Sequence, residues 1–157
     1  MASEALYKIS EVELVYRTKV KASERPAINT SGDAYRILMQ YWDENKIELL
    51  EQFKILLLNR ASRVIGISDI SSGGVAGTVV DPKIVFSTAL KANASSIILA
   101  HNHPSGNLQP SKEDNAVTTK MREAGNFLDL RVLDHLIVTK DGYYSYADEG
   151  ALCMSSL

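Results

Sequence analysis

Apolar and polar positions along this chain fall into short strand-length runs separated by helical stretches. Val12, Leu14 and Tyr16 alternate with charged neighbours, which predicts a half-buried strand over residues 11–20. A loop from Pro26 to Gly32 leads to a helix capped by Ser31 or Asp33, ending near Asp43 and burying Ile37, Leu38 and Tyr41. Residues 51–58 and 64–70 are apolar runs separated by Asn59-Arg60-Ala61-Ser62, the signal of a hairpin. Ser71-Ser72-Gly73-Gly74 then breaks the second strand.

Asp81 followed by Pro82 predicts a helix start, with a capping carboxylate and proline at the first helical position, and that helix ends near Ala92 or Asn93. Residues 95–100 are continuously apolar, as suits a strand covered on both faces. A loop rich in Pro, Gly and Asn follows, then a helix over 111–124, strands over 128–132 and 136–139, and an Asp141-Gly142 turn into a last strand over 143–146. The sum is one α/β domain over residues 1–157, a mixed sheet of about six to eight strands with helices packed on it.

Composition narrows the class. Of 157 residues, 45% are hydrophobic and 23% charged, the balance of a soluble globular protein, and the net charge of −2 gives no footprint for nucleic acid. Arg17, Lys19, Lys21 and Arg25 read as a solvated strand edge and loop. The single cysteine, Cys153, excludes an internal disulfide and a cysteine-based metal site, and reads as an ordinary thiol. Residues 1–14 carry no signal-length apolar stretch, and no run reaches the length of a membrane span. These features predict a reducing, cytoplasmic setting.

The segment that carries chemistry is His101-Asn102-His103-Pro104-Ser105-Gly106, continuing through Pro110-Ser111-Lys112-Glu113-Asp114. Residues two apart on an extended backbone project to the same side, so His101 and His103 can face one ion. Pro104 biases His103 toward the extended conformation. Asp114 falls in the first turn of the next helix, where the loop can fold it back toward the imidazoles. Two histidines and a carboxylate are a frequent ligand set for catalytic zinc, with a fourth position open to water. Plainer readings exist: His-x-His alone is a weak signal, Ser111-x-x-Asp114 also fits a helix capping box, and Pro104 and Gly106 can simply shape a turn.

The string His101-x-His103, seven residues, then Ser111-x-x-Asp114 resembles the signature of JAMM/MPN+ metallohydrolases, and the fuller HNHPSG…PSxxD form resembles their RadC-like branch. The likeness extends from Glu51-Gln52-Phe53 through Leu58-Asn59 and Leu133-Asp134-His135 to residues 144–150, about two-thirds of the chain. It implies a largely antiparallel central sheet flanked by helices, of the JAMM/MPN or cytidine-deaminase-like kind. It also implies zinc on His101, His103 and Asp114, with Ser111 stabilising the oxyanion. A glutamate opening an early strand activates water in such enzymes. Glu51 matches that place, with Glu48 and Asp69 as weaker rivals.

His135 is either a further ligand or outer-shell partner, or half of a buried structural pair with Asp134; the completed ligand count favours the pair. Asn102, Ser105 and Asn107 either satisfy loop backbone groups or line the cleft. Full-length RadC proteins place a helix-hairpin-helix region before the JAMM domain, and this sequence begins almost at the first JAMM strand. A DNA-repair role is therefore not expected to carry over. The expected activity is that of a zinc metallopeptidase or isopeptidase on a peptide or protein substrate, with neither membrane nor nucleic-acid partner. The alternatives are a non-catalytic MPN scaffold and a RadC-like repair factor acting on a phosphodiester.

Overall fold

The computed structural model describes residues 6–13, 15–74 and 77–152. Three helices, α1 (Ser31–Tyr41), α2 (Pro82–Lys91) and α3 (Lys112–Phe127), accompany five strands: β1 (Gln52–Leu58), β2 (Val64–Ser72), β3 (Ser96–Asn102), β4 (Arg131–Val138) and β5 (Tyr143–Ser145). The strands make one sheet in the order β2-β1-β3-β4-β5, antiparallel except for the β3–β4 pair. It is the mixed, mostly antiparallel sheet with flanking helices that the sequence predicts.

Alternation along the central strands divides the core in two. Phe53, Ile55 and Leu57 of β1 and Ile97 and Leu99 of β3 pack with Val85, Phe86 and Met121 from α2 and α3. Leu56, Leu58, Ile98 and Ala100 pack on the other face with Ala34 and Leu38 of α1, and with Trp42 and Ile47 beyond it. Burial on both faces explains why β1 and β3 read as unbroken apolar runs.

Local capping sets the helix starts. Asp81 accepts a hydrogen bond from the Lys83 amide ahead of Pro82, as predicted. For α1 the cap is Thr30, not Ser31 or Asp33. Its hydroxyl accepts from the Asp33 amide at 3.2 Å while Asp33 accepts from the Thr30 amide at 3.0 Å. Backbone amides of Asn29 and Thr30 hold the Asp33 carboxyl below its ordinary pKa.

Tyr41, expected on the buried side of α1, is 62% exposed, and two expectations about strands are also corrected. The described residues of the 11–20 segment form no strand: Val12 is 94% exposed, and Tyr16 lies beside β2 with its hydroxyl donated to the Ile65 carbonyl at 2.7 Å. Period-two alternation makes a strand only where backbone groups pair along an edge, and the described residues here make no ladder with a neighbouring strand. Secondly, 128–132 and 136–139 are not separate strands but the region of one, β4, so the sheet has five strands rather than six to eight. Asp134 looks like a break in sequence, yet its carboxylate is satisfied inside the fold by the Ser145 hydroxyl at 2.6 Å and the Ala147 amide at 3.0 Å. Cys153 lies outside the described residues.

Candidate metal centre

β3 delivers the first ligand candidate. His101 is opposite Phe53 of β1 in the register, on the α2/α3 face, and is almost fully buried. His103 follows the strand, its amide bonded to the Val138 carbonyl at 3.3 Å. The chain then turns at Gly106, whose φ of +82° suits a residue without a side chain. The turn brings the Asn107 carbonyl against His103 Nδ1. A carbonyl only accepts, so Nδ1 carries a proton, and Nε2 is bare when the ring is neutral and bonded to Asp114 through a second proton when it is charged.

Asp114 arrives from the first turn of α3. Both readings of Ser111-x-x-Asp114 hold at once. The Ser111 hydroxyl accepts from the Asp114 amide at 3.0 Å, and Asp114 Oδ2 accepts from the Ser111 amide at 2.8 Å, which closes a capping box. The same carboxylate faces both imidazoles: Oδ1 lies 3.1 Å from His101 Nε2 and Oδ2 lies 3.2 Å from His103 Nε2. The two Nε2 atoms are 3.1 Å apart.

That spacing tests the fit of a metal. Ligand bonds of about 2.0–2.1 Å at tetrahedral angles put donors about 3.3–3.4 Å apart. Here the two Nε2 atoms are 3.1 Å apart, close to such an edge, and each faces its own oxygen of Asp114 at 3.1–3.2 Å, with one donor atom from each of the three residues lying within 4.8 Å of the others. Among the described residues they are the one group of three His, Cys, Asp or Glu side chains so gathered. Two nitrogens and a carboxylate, all converging and partly buried, suit a borderline cation such as zinc.

The electrostatics agree with that geometry. Burial alone would raise the Asp114 pKa, but in the metal-free site protons carried on the facing imidazole nitrogens, where an ion would otherwise sit, bond to the carboxylate and with the Ser111 amide hold it far below its usual range. The hydrogen bond to Asp114 raises His103 above its ordinary value. Glu51 immediately precedes β1 and is half-buried beside the triad. Burial raises its pKa, the two histidines draw it back, and Asp114 pushes it further up.

Glu51, Ser111 and the three ligand candidates line one open cleft, together with Ser71, Thr78, Asn107, Gln109 and Glu113. Of the rivals to Glu51, Glu48 reaches the cleft but pairs with Lys140 at 2.9 Å. Asp69 is mostly exposed, does not line the cleft and pairs with Lys54. Ser105 and Asn107 serve the loop itself: the Ser105 hydroxyl accepts from the Asn107 amide, and Asn107 Oδ1 accepts from the Gln109 amide.

The pairing favoured for His135 is corrected. Asp134 does accept from His135, but from its backbone amide, at 2.7 Å; the imidazole points elsewhere. An extra residue in β4, Leu133, sits where Val132 pairs with Ile97 and Asp134 with Ile98. This bulge turns His135, rather than Asp134, toward the α2/α3 face. There His135 Nε2 lies 2.8 Å from His101 Nδ1, and His135 Nδ1 lies 2.6 Å from the Thr118 hydroxyl. Burial pushes the His135 pKa well down, so the ring is neutral.

The proton positions follow in sequence. Thr118 donates its one hydroxyl proton to the Asp114 carbonyl at 2.7 Å, so it accepts from His135 Nδ1. His135 Nε2 must then accept from His101 Nδ1, which leaves His101 Nε2 bare and aimed at the other donors. Sequence reading misses Thr118, although its place four residues after Asp114 sets both on one face of α3.

Residues 28–151 match the family model described as RadC-like JAB domain. Among similar proteins, a UPF0758 protein of Flavobacterium johnsoniae is 45% identical over 123 residues, covering 78% of this chain and 52% of the relative. A UPF0758 protein of Symbiobacterium thermophilum is 43% identical over 66% of this chain and 44% of its own length. One from Rubrobacter xylanophilus is 38% identical over 153 residues, 96% of this chain and 65% of the relative. The chain thus spans roughly half to two-thirds of the length of these curated relatives.

Proposed function

Because the chain belongs to the RadC-like JAB domain family, we propose that it acts, as a single domain, as a zinc-dependent hydrolase of peptide or isopeptide bonds. The observation that carries this reading is the convergence of two imidazole Nε2 atoms and the Asp114 carboxylate, one donor atom of each within 4.8 Å of the others, beside a half-buried glutamate in an open cleft. His101, His103 and Asp114 hold the ion, which when bound supplies Lewis acidity and a water of lowered pKa.

Glu51 takes the proton from the attacking water and returns it to the leaving nitrogen, work for which a raised pKa suits a carboxylate. Ser111 spends its lone pair on the Asp114 amide, so its hydroxyl proton is free to meet the oxygen of the tetrahedral intermediate. Phe53 and Val117 line the same cleft and set apolar surface beside these charges.

The cleft favours a peptide over a phosphodiester. Its described lining includes Glu48, Glu51, Glu113 and Asp114, with no lysine or arginine to meet a phosphate. No helix among the described residues is long and apolar enough to cross a membrane. The single cysteine supports a reducing compartment such as the cytoplasm. The test is a quenched-fluorescence peptide and isopeptide library with zinc-loaded protein. Cleavage that a chelator stops and zinc restores is the expected result; cleavage indifferent to the chelator would remove the reading, and zinc binding without cleavage would favour a scaffold.

A further inference from the structure

Asn102 stands between the two histidines, and its side chain belongs to the opposite face of β3. It is fully buried. Its Nδ2 donates to the Ile47 carbonyl at 2.7 Å and the Leu50 carbonyl at 2.9 Å, and its Oδ1 accepts from the Gln52 amide at 2.7 Å. These partners all lie in the backbone of residues 47–52, on either side of Glu51.

The far side of Glu51 is held as well. Its amide bonds to the Gly74 carbonyl at 3.2 Å, and its carbonyl accepts from the Gly73 amide at 2.8 Å. The Glu51 peptide is thus fixed between the end of β2 and one side chain of β3. We propose that Asn102 is a positioning residue that ties Glu51 to the strand bearing His101 and His103, so that proton acceptor and metal ligands share one rigid frame.

The chemistry of the contact selects the residue. Two carbonyls and one amide converge on it, which calls for two donors and one acceptor on a short side chain. Asparagine offers that set, whereas aspartate offers only acceptors and serine a single donor. Extended geometry on β3 turns alternate residues to opposite faces, so one strand can grip the ion on one side and the Glu51 segment on the other. The ligands themselves are untouched, and that separates this role from metal binding.

The inference rests on the reading of Glu51 as general base, and the experiment keeps the two apart. The zinc-loaded full chain is compared with Asn102→Ser, which leaves room for water, and with Asn102→Asp, which sets a carboxylate against two carbonyls. Turnover is read on the best-cleaved member of the quenched-fluorescence library, and zinc affinity by chelator competition. Asn102→Ser should keep zinc affinity within about threefold and KM nearly unchanged while kcat falls about 10–100-fold, with a larger loss for Asn102→Asp. In a Glu51→Gln background, adding Asn102→Ser should cost less than about threefold, because the two act through one group.

An equal loss in both backgrounds, or an unchanged kcat, would overturn the proposal. Full turnover by Glu51→Gln alone would overturn the base assignment and this inference with it. A further measurement needs no variant to fold and no substrate. In the zinc-loaded wild type the Gln52 amide should exchange with deuterium as slowly as the β3 amides, and exchange as fast as the neighbouring loop amides would contradict the clamp.

Discussion

His135 Nε2 lies 2.8 Å from His101 Nδ1, so an imidazole one pleat away from the ligands decides which nitrogen of His101 is left bare. The acceptor, not the ring, does this. His135→Phe keeps the aromatic volume and the stack on Tyr146, 5.0 Å between ring centres, but offers no lone pair. Zinc affinity should fall about 10–100-fold, as is usual when an outer partner of a ligand histidine is lost. Thr118→Val, one bond further along, should act in the same direction and less strongly. Chelator competition measures both; unchanged affinity in the two variants would show that the chain of bonds does not set the tautomer.

Asp114 joins the cap of α3 to the metal centre, so its variants should separate two losses. Asp114→Ala should abolish zinc binding and also lower the melting temperature of the metal-free chain, because the Ser111 amide loses its acceptor. His103→Ala should abolish binding and, at a pH above the raised His103 value where its bond to Asp114 no longer contributes, should lower metal-free melting less than Asp114→Ala does, since His103 belongs to no cap. Elemental analysis after dialysis, with melting curves in chelator, reads both. Stoichiometric zinc in either variant would place the ligands elsewhere.

Ser111 has the same double duty, and glycine resolves it. Glycine at an N-cap costs only a few tenths of a kcal/mol and alanine about 1 kcal/mol. Ser111→Gly and Ser111→Ala should therefore lose turnover alike while differing in stability. Activity that tracked stability across the pair would reduce Ser111 to a cap.

The metal-free and zinc-loaded forms should respond to acid in opposite ways. His103 is raised by its bond to Asp114, so its contribution to stability is full below the ordinary histidine value and is lost as pH rises through the raised one. Asp114 is lowered, so its share persists until pH falls far below the ordinary carboxylate value. As pH falls from above the raised His103 value toward the ordinary histidine value of about 6.5, the metal-free chain should gain stability from this pair, and below it buried, neutral His135 draws stability away. Zinc needs the bare nitrogen, and the loaded form should lose its ion, and stability with it, over the same range. Melting in chelator and in excess zinc checks the two slopes; parallel slopes would contradict the pairing.

Much of this was legible in the residues because local chemistry decides it. Asp81-Pro82 names a helix start without help from the rest of the chain, and the apolar runs of β1 and β3 reflect burial on both faces. His101, His103 and Asp114 are close in sequence, so one strand end and one helix start bring them together. What escaped depends on distant partners. The described residues around Val12 run past the open edge of β2 without pairing to it, and Asp134 sits inside β4 with its carboxylate met by Ser145 and Ala147. The Leu133 bulge, which turns His135 to the metal face, is a matter of register with β3 that the sequence of β4 alone does not carry.

The central claim is that Glu51 works on a proton beside an ion held by His101, His103 and Asp114. Its most direct measurement is the turnover of zinc-loaded Glu51→Gln against zinc-loaded wild type on one cleaved peptide. Glutamine keeps the size of the side chain and cannot accept the proton, so zinc content and melting temperature should be unchanged while kcat falls at least about 10²-fold. A zinc-loaded Glu51→Gln that cleaves as fast as the wild type would contradict the account.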